Sequence, residues 1–159
     1  MHAFDMKILY NQRHQLDSAT EEKLGATFAS VDDIVKNADV ITLHAPATPE
    51  THHLLGAEQF KEMKDSAMLI NAARGPLIDE AALLEALKNG EIAGAGLDVY
   101  EAEPKVDDGF KSLKNVILTP HIGNATVEAR DAMAEIVAKN TVAMDEGNQP
   151  DYIVNGVEL

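Results

Sequence analysis

Three segments carry side chains whose types could cooperate in one reaction. Ala72-Ala73-Arg74-Gly75 follows an apolar run and offers a guanidinium, the group suited to gripping a planar carboxylate through two parallel hydrogen bonds. Gly75 lets the backbone turn there. Thr119-Pro120-His121-Ile122-Gly123 places an imidazole after another apolar run, and a neutral imidazole can act as a base near pH 7. Leu97-Asp98-Val99-Tyr100-Glu101-Ala102-Glu103-Pro104 adds carboxylates after a third, and a carboxylate beside a histidine fixes its tautomer and favours its protonated form. Taken singly, each segment has a plainer reading: a surface arginine in a turn, a capping histidine, a solvated acidic loop.

The elements that would position these groups are strands alternating with helices. Lys7–Tyr10, Val40–Leu43, Ala67–Asn71, Ala93–Val99 and Val116–Leu118 read as strands. Ser18 with Glu21 forms a capping box for a helix closed by Gly25. Ser30 with Asp33 opens a second helix, with Val31, Ile34 and Val35 on one face. Gly56–Lys64 reads as a third. Asp79 caps a fourth, which carries Leu83, Leu84 and Leu87 and stops at Gly90. Thr126 caps a long helix from Val127 to Glu146, with Met133, Ile136, Val137, Asn140 and Met144 on one face. The tail through Tyr152 and Ile153 reads as coil, and Glu101–Asp108 as a loop. This alternation implies an α/β fold with a parallel sheet, and the unbroken apolar strands imply a sheet covered on both faces. Ligands of such sheets bind at the carboxyl ends of the strands, where all three chemical segments fall.

Composition narrows the function further. The 159 residues suffice for one domain, and 45% hydrophobic content fits a globular chain. A formal net charge of -14 repels phosphate backbones, which argues against nucleic acid. An anionic ligand then depends on locally placed cations, and the arginines are only Arg13, Arg74 and Arg130. Without cysteine, disulfides, thiolate chemistry and cysteine-ligated zinc are excluded. No apolar run approaches a membrane span and the N-terminus has no signal-peptide pattern, so a cytoplasmic location is the default. His52 and His53 are adjacent. On regular structure they would point different ways, so no metal site is expected from them.

Four blocks together resemble the D-isomer-specific 2-hydroxyacid dehydrogenase family. They are Val40–Pro46 with Thr48–Thr51, Leu69–Gly75, Ala95–Pro104 and Leu118–Gly123, in family order and spacing over nearly the whole chain. The resemblance implies a Rossmann-like doubly wound sheet binding NAD(P), and hydride transfer between a 2-oxo acid and a D-2-hydroxy acid. By that resemblance Arg74 binds the substrate carboxylate and 2-oxo group, and His121 is the acid/base. Glu103, directly before Pro104, is its partner in preference to Glu101. Asp98 contacts the nicotinamide carboxamide. Small residues Ala45, Ala72 and Ala73 line the cofactor groove, with His44, Pro46, Arg74, His121 and Gly123 beside it, His44 in a mainly structural part.

In the family an acidic residue after the second strand bonds the adenosine ribose and repels the 2′-phosphate of NADP. Phe4–His14 matches that strand. Gln12 falls at the acidic position (Asn11 if the match slips by one), followed by Arg13 and His14, so NADP is slightly favoured over NAD.

The glycine-rich G-x-G-x-x-G loop has no match. It and the family's first strand are expected before residue 1, with Met1–Asp5 as the end of the first helix and the substrate domain mostly absent. Residues 1–159 would then be the C-terminal part of a dinucleotide-binding domain, ending at Ile153-Val154-Asn155 much as the family does. The missing strand would lie between the Lys7 and Val40 strands. Its absence is expected to displace or disorder Lys7–Tyr10, or to drive association with a second copy or with the missing N-terminal half. Negligible activity is expected of the chain alone. Two functions stay open: an oxidoreductase fragment, or a non-catalytic dinucleotide-binding or interaction module of the same family.

Overall fold

The computed structural model describes residues 4–153. The chain divides into two compact units, Met1–Pro120 and His121–Leu159.

The first unit is α/β, with two separate parallel sheets. Strand β1 (Ile8–Tyr10) pairs with β2 (Ala26–Phe28). Strands β3 (Val40–Leu43), β4 (Met68–Asn71), β5 (Gly94–Leu97) and β6 (Val116–Leu118) form a four-stranded sheet in that order. Five helices lie between the strands: α1 (Ser18–Leu24), α2 (Val31–Asn37), α3 (Ala57–Glu62), α4 (Glu80–Asn89) and α5 (Asp108–Lys111). The second unit holds α6 (Val127–Asp145).

The helix ends follow from local chemistry. Ser30 accepts from the Asp33 N–H at the start of α2, and Asp79 from the Ala82 N–H at the start of α4. Thr126 does the same for Ala129 at α6. Gly25 and Gly90 close α1 and α4 in the left-handed conformation. At α1 the cap is Asp17, not Ser18: the Asp17 carboxylate accepts from both the N–H and the hydroxyl of Thr20. An acceptor one residue earlier starts the helix one residue earlier.

The core lies on one face of the four-stranded sheet. Register aligns Ile41, Leu69 and Ala95 in one row and Leu43, Asn71 and Leu97 in the next, and all six are buried. Val35 of α2, Phe60 of α3 and Leu83 and Leu87 of α4 pack into the same cluster. The other face is more open, with Val40 and Met68 exposed. The expectation of a sheet covered on both faces is therefore corrected. An apolar run shows that each position tolerates burial, not that something covers it.

Three other expectations have the following outcomes. Lys7–Tyr10 is not disordered: Ile8–Tyr10 align with Ala26–Phe28, and the Tyr10 ring meets Phe28 edge-on at 5.4 Å. These two strands form a sheet separate from the four-stranded one. The α6 stripe of Met133, Ile136, Val137 and Met144 forms, but all four are exposed and only Asn140 is partly covered. Of Met1–Asp5, residues 1–3 lie outside the described residues; Phe4 is in a 3₁₀ turn and Asp5 has φ 53°, the left-handed conformation that commonly ends a helix. Val154 and Asn155 of the final segment also lie outside them. Among the described residues no helix is long and apolar enough to cross a membrane.

Burial sets the expected sensitivity of this sheet. Leu69 has 0% exposure and Ile117 70%. Leu69→Ala should destabilise the chain by about 2–5 kcal/mol in urea unfolding, and Ile117→Ala by less than about 0.5 kcal/mol.

Candidate functional site

The site begins with Asn71, the last residue of β4, which is buried at 1% exposure between two leucines of its row. A polar side chain there needs partners. Its amide nitrogen donates to the Arg74 carbonyl at 2.9 Å, and its amide oxygen accepts from the Ala73 N–H at 3.0 Å. The backbone turn at residues 72–75 is thus closed by one side chain. The Asn71 carbonyl also accepts from the Asp98 N–H at 2.9 Å, which ties the end of β4 to the residue after β5.

That turn presents Arg74, which is exposed and donates from Nη1 to the Ala73 carbonyl at 2.6 Å. Gly75 is buried against the next loop. A Cβ there would fall 2.0 Å from the Tyr100 carbonyl carbon and oxygen, so only glycine allows the two loops to approach.

The loop after β5 is similarly braced. Asp98 is nearly buried and accepts from the Thr119 hydroxyl at 2.5 Å. The Tyr100 hydroxyl shares its proton between the Thr119 carbonyl at 2.8 Å and the Leu97 carbonyl at 3.2 Å. Burial pushes the Tyr100 phenol above its ordinary value, and the charge of Asp98 adds to this, so the group stays a donor. The Glu103 carboxylate accepts from the Tyr100 N–H at 2.9 Å, and Glu101 pairs with His53 at 2.7 Å. Glu80, at the start of α4, accepts from the Glu101 N–H at 2.6 Å. Burial raises the Glu80 carboxyl from its ordinary 4.5, and the charges of Glu101, Asp107 and Glu103 add to that effect.

An open cleft of about 560 Å³ lies at the carboxyl ends of β3 and β4, lined by His44, Ala45, Pro46, Ala47, Ala72, Ala73 and Arg74. That is the size of a small-molecule site. Four alanines and one guanidinium suit a flat ring system carrying an anionic neighbour. Five of the cofactor residues expected from the sequence (His44, Ala45, Pro46, Ala72 and Ala73) line this one cleft together with Arg74. His44 Nε2 lies 3.1 Å from the Thr42 hydroxyl, in keeping with a structural part.

Gln12, Arg13 and His14 follow β1 and are exposed. Gln12 donates to the His14 carbonyl at 2.7 Å, and Asn11 to the Ala29 carbonyl at 2.8 Å. Thr48 holds the Glu50 carboxyl below its ordinary value, with a smaller contribution from the Arg13 charge. His121 and Gly123 open the second unit. His121 is exposed and has φ 54°, a left-handed conformation uncommon outside glycine and concentrated at functional positions.

Two features escaped the sequence. Asn71 stood in a recognised block without a role, and its signal was an amide at the end of an otherwise apolar strand. His52 and His53 do not diverge: their rings stack with centroids 3.9 Å apart, because His53 has φ 51°.

A parallel α/β unit with a cleft at the strands' carboxyl ends is the architecture of nucleotide- and dinucleotide-binding proteins. Residues 1–123 match the family described as D-isomer specific 2-hydroxyacid dehydrogenase, NAD binding domain. A Staphylococcus epidermidis protein assigned to the 2-hydroxyacid dehydrogenases is 52% identical over 153 residues, covering 96% of this chain and 48% of its own. Among solved structures, D-lactate dehydrogenase with NAD+ from Lactobacillus jensenii is similar with TM-score 0.82 and 37% identity, over 97% of this chain and 50% of that one. The holo form of D-mandelate dehydrogenase from Rhodotorula graminis is similar with TM-score 0.87 and 33% identity, over 99% and 46%. The chain belongs to the D-isomer specific 2-hydroxyacid dehydrogenase family, through its NAD-binding domain. It spans about half the length of the curated relatives it matches.

The bracing of the site can be tested by unfolding. Asn71→Ala strands the Ala73 N–H and Arg74 carbonyl and should cost about 2–4 kcal/mol in urea unfolding; Asn71→Ala at wild-type stability would show that the amide is not what holds the turn. A carboxyl raised in the folded state favours the native form fully below its ordinary value, and that stability is lost as pH rises through the raised value. Glu80→Gln keeps an acceptor for the Glu101 N–H but removes the charge. It should melt a few degrees above wild type at pH 7, with the difference vanishing below the ordinary carboxyl range. Equal melting temperatures at both pH values would contradict this.

Proposed function

We propose that this chain is the C-terminal part of a Rossmann-like, doubly wound dinucleotide-binding domain, from an enzyme that interconverts 2-oxo acids and D-2-hydroxy acids. The observation that carries the reading is the turn at Arg74. Asn71 holds the Arg74 backbone carbonyl, and the one guanidinium stands at the rim of an alanine-lined cleft, in a chain of net charge -14. It is the cation in that lining, and a 2-oxo acid is an anion with a planar carboxylate.

In this reading Arg74 binds the carboxylate and the 2-oxo oxygen. Bound NAD(P)H supplies the hydride. His121, protonated, donates its proton to the substrate oxygen as negative charge develops, and in the reverse direction removes it. Glu103 stabilises the imidazolium and fixes its tautomer. Asp98 accepts from the nicotinamide carboxamide, and the small side chains of Ala45, Ala72 and Ala73 let the ring approach the backbone. Gly123 lies beside the cofactor. Gln12, Arg13 and His14 favour NADP, because the neutral Gln12 stands at the family's acidic position and two basic side chains that follow it can meet a 2′-phosphate.

The test is kinetic, in a full-length relative carrying these residues, with glyoxylate or hydroxypyruvate as substrate. His121→Ala should lower kcat about 10²–10⁴-fold. Arg74→Ala should lower kcat/KM with a marked rise in KM. Unchanged turnover in His121→Ala would overturn the acid/base assignment. Gln12→Asp should shift preference from NADPH towards NADH, and a parent that shows no NADPH preference would overturn the cofactor reading.

A further inference from the structure

We propose that His52, His53 and Glu101 form a binding site for a divalent transition metal of the zinc class. The site is distinct from the alanine-lined cleft, since none of its three residues lines that cleft.

The backbone creates the site. Adjacent residues on a strand or helix cannot share a ligand, because their side chains diverge. His53 escapes this rule by adopting φ 51°. For a residue other than glycine that conformation carries strain, and surrounding bonds must hold it. The His53 N–H donates to the Pro76 carbonyl at 2.8 Å, and the Leu54 N–H to the Thr51 carbonyl at 3.2 Å. Both imidazoles consequently lie on the same side, stacked at 3.9 Å with 30° between their planes.

The third group arrives from a distant loop. His53 Nε2 and Glu101 Oε1 are 2.7 Å apart, and the Glu101 backbone is anchored by the Glu80 carboxylate. One ligand atom from each of His52, His53 and Glu101 lies within 4.8 Å of the other two.

Two imidazole nitrogens and a carboxylate oxygen form a set that suits zinc, and three protein ligands leave a fourth position for water. Bonds of about 2.0–2.2 Å in a tetrahedral site place ligand atoms about 3.3 Å apart. That value lies between the 2.7 Å of the His53–Glu101 pair and the 4.8 Å within which all three ligand atoms fall. The His53 and Glu101 side chains are 35% and 34% exposed, so they can open by the small amount needed. The strongly negative chain also concentrates cations around itself. Glu101 lies two residues from Glu103 on the same loop, so a bound ion would tie that loop to the turn carrying the histidines.

The experiment is isothermal titration of the chelator-treated chain with Zn²⁺ near neutral pH in a non-coordinating buffer, with Co²⁺ as a spectroscopic substitute. The expected result is one Zn²⁺ per chain and visible Co²⁺ bands of a four-coordinate site. His52→Ala and Glu101→Gln should each weaken Zn²⁺ binding at least tenfold and abolish those bands. His52→Ala is the informative variant, because it leaves both the His53 backbone and the His53–Glu101 pair in place; circular dichroism of the metal-free variant confirms that it is folded. Absence of saturable Zn²⁺ binding, or an affinity unchanged in His52→Ala and Glu101→Gln, would overturn the proposal and leave His53–Glu101 as a surface ion pair.

Discussion

The site depends on the hydrogen bonds of one buried amide. Asn71 occupies a position that the sheet register assigns to the core, between Leu43 and Leu97. An apolar residue there would pack equally well, but would leave the turn at Ala73 and Arg74 without its closing bonds. An unpaired buried amide is costly, so the turn and the strand end stabilise each other. Through its carbonyl, Asn71 also sets the position of Asp98. One residue therefore ties the backbone that carries Arg74 to the backbone of Asp98 after the next strand.

The remaining contacts spread from that point. Gly75 permits the Arg74 turn to lie on the Tyr100 backbone, and the Tyr100 hydroxyl reaches across to Thr119 at the end of β6. The carboxyl ends of β4, β5 and β6 are thereby linked by side chains as well as by the sheet ladder. Electrostatics oppose this compactness. Burial raises the Glu80 carboxyl, and the charges of Glu101, Asp107 and Glu103 add to that effect. Such a concentration of negative charge gives any bound cation a favourable field.

Much of the fold was legible where local chemistry decides it. Val40–Leu43 and Val116–Leu118 have the bounds expected from the sequence, and Ser30, Asp79, Gly25 and Gly90 end helices through bonds that depend only on neighbouring residues. Strand β2 was missed because Ala26-Thr27-Phe28 is short and mostly exposed, so no apolar run announces it. Helix α5, which starts at the last residue of the acidic loop, was missed because four residues give no periodicity. The α6 stripe was read correctly as a face, but periodicity cannot say what covers a face. At the site, Arg74 and the alanines were visible as strand-end residues. The role of Asn71 needed the register, and the convergence of His52 with His53 needed a dihedral angle that sequence spacing does not encode.

The central claim is that the carboxyl ends of β3, β4 and β5 receive the nicotinamide cofactor. The most direct test is amide NMR of the isotope-labelled chain titrated with NADH and NADPH, which detects binding as weak as millimolar. The account predicts shifts concentrated at Ala45, Ala72, Ala73, Arg74 and Asp98, with the opposite strand ends at Asp65–Ala67 and Ile92–Gly94 unmoved. Shifts confined to those opposite ends, or none at saturating cofactor, would contradict it.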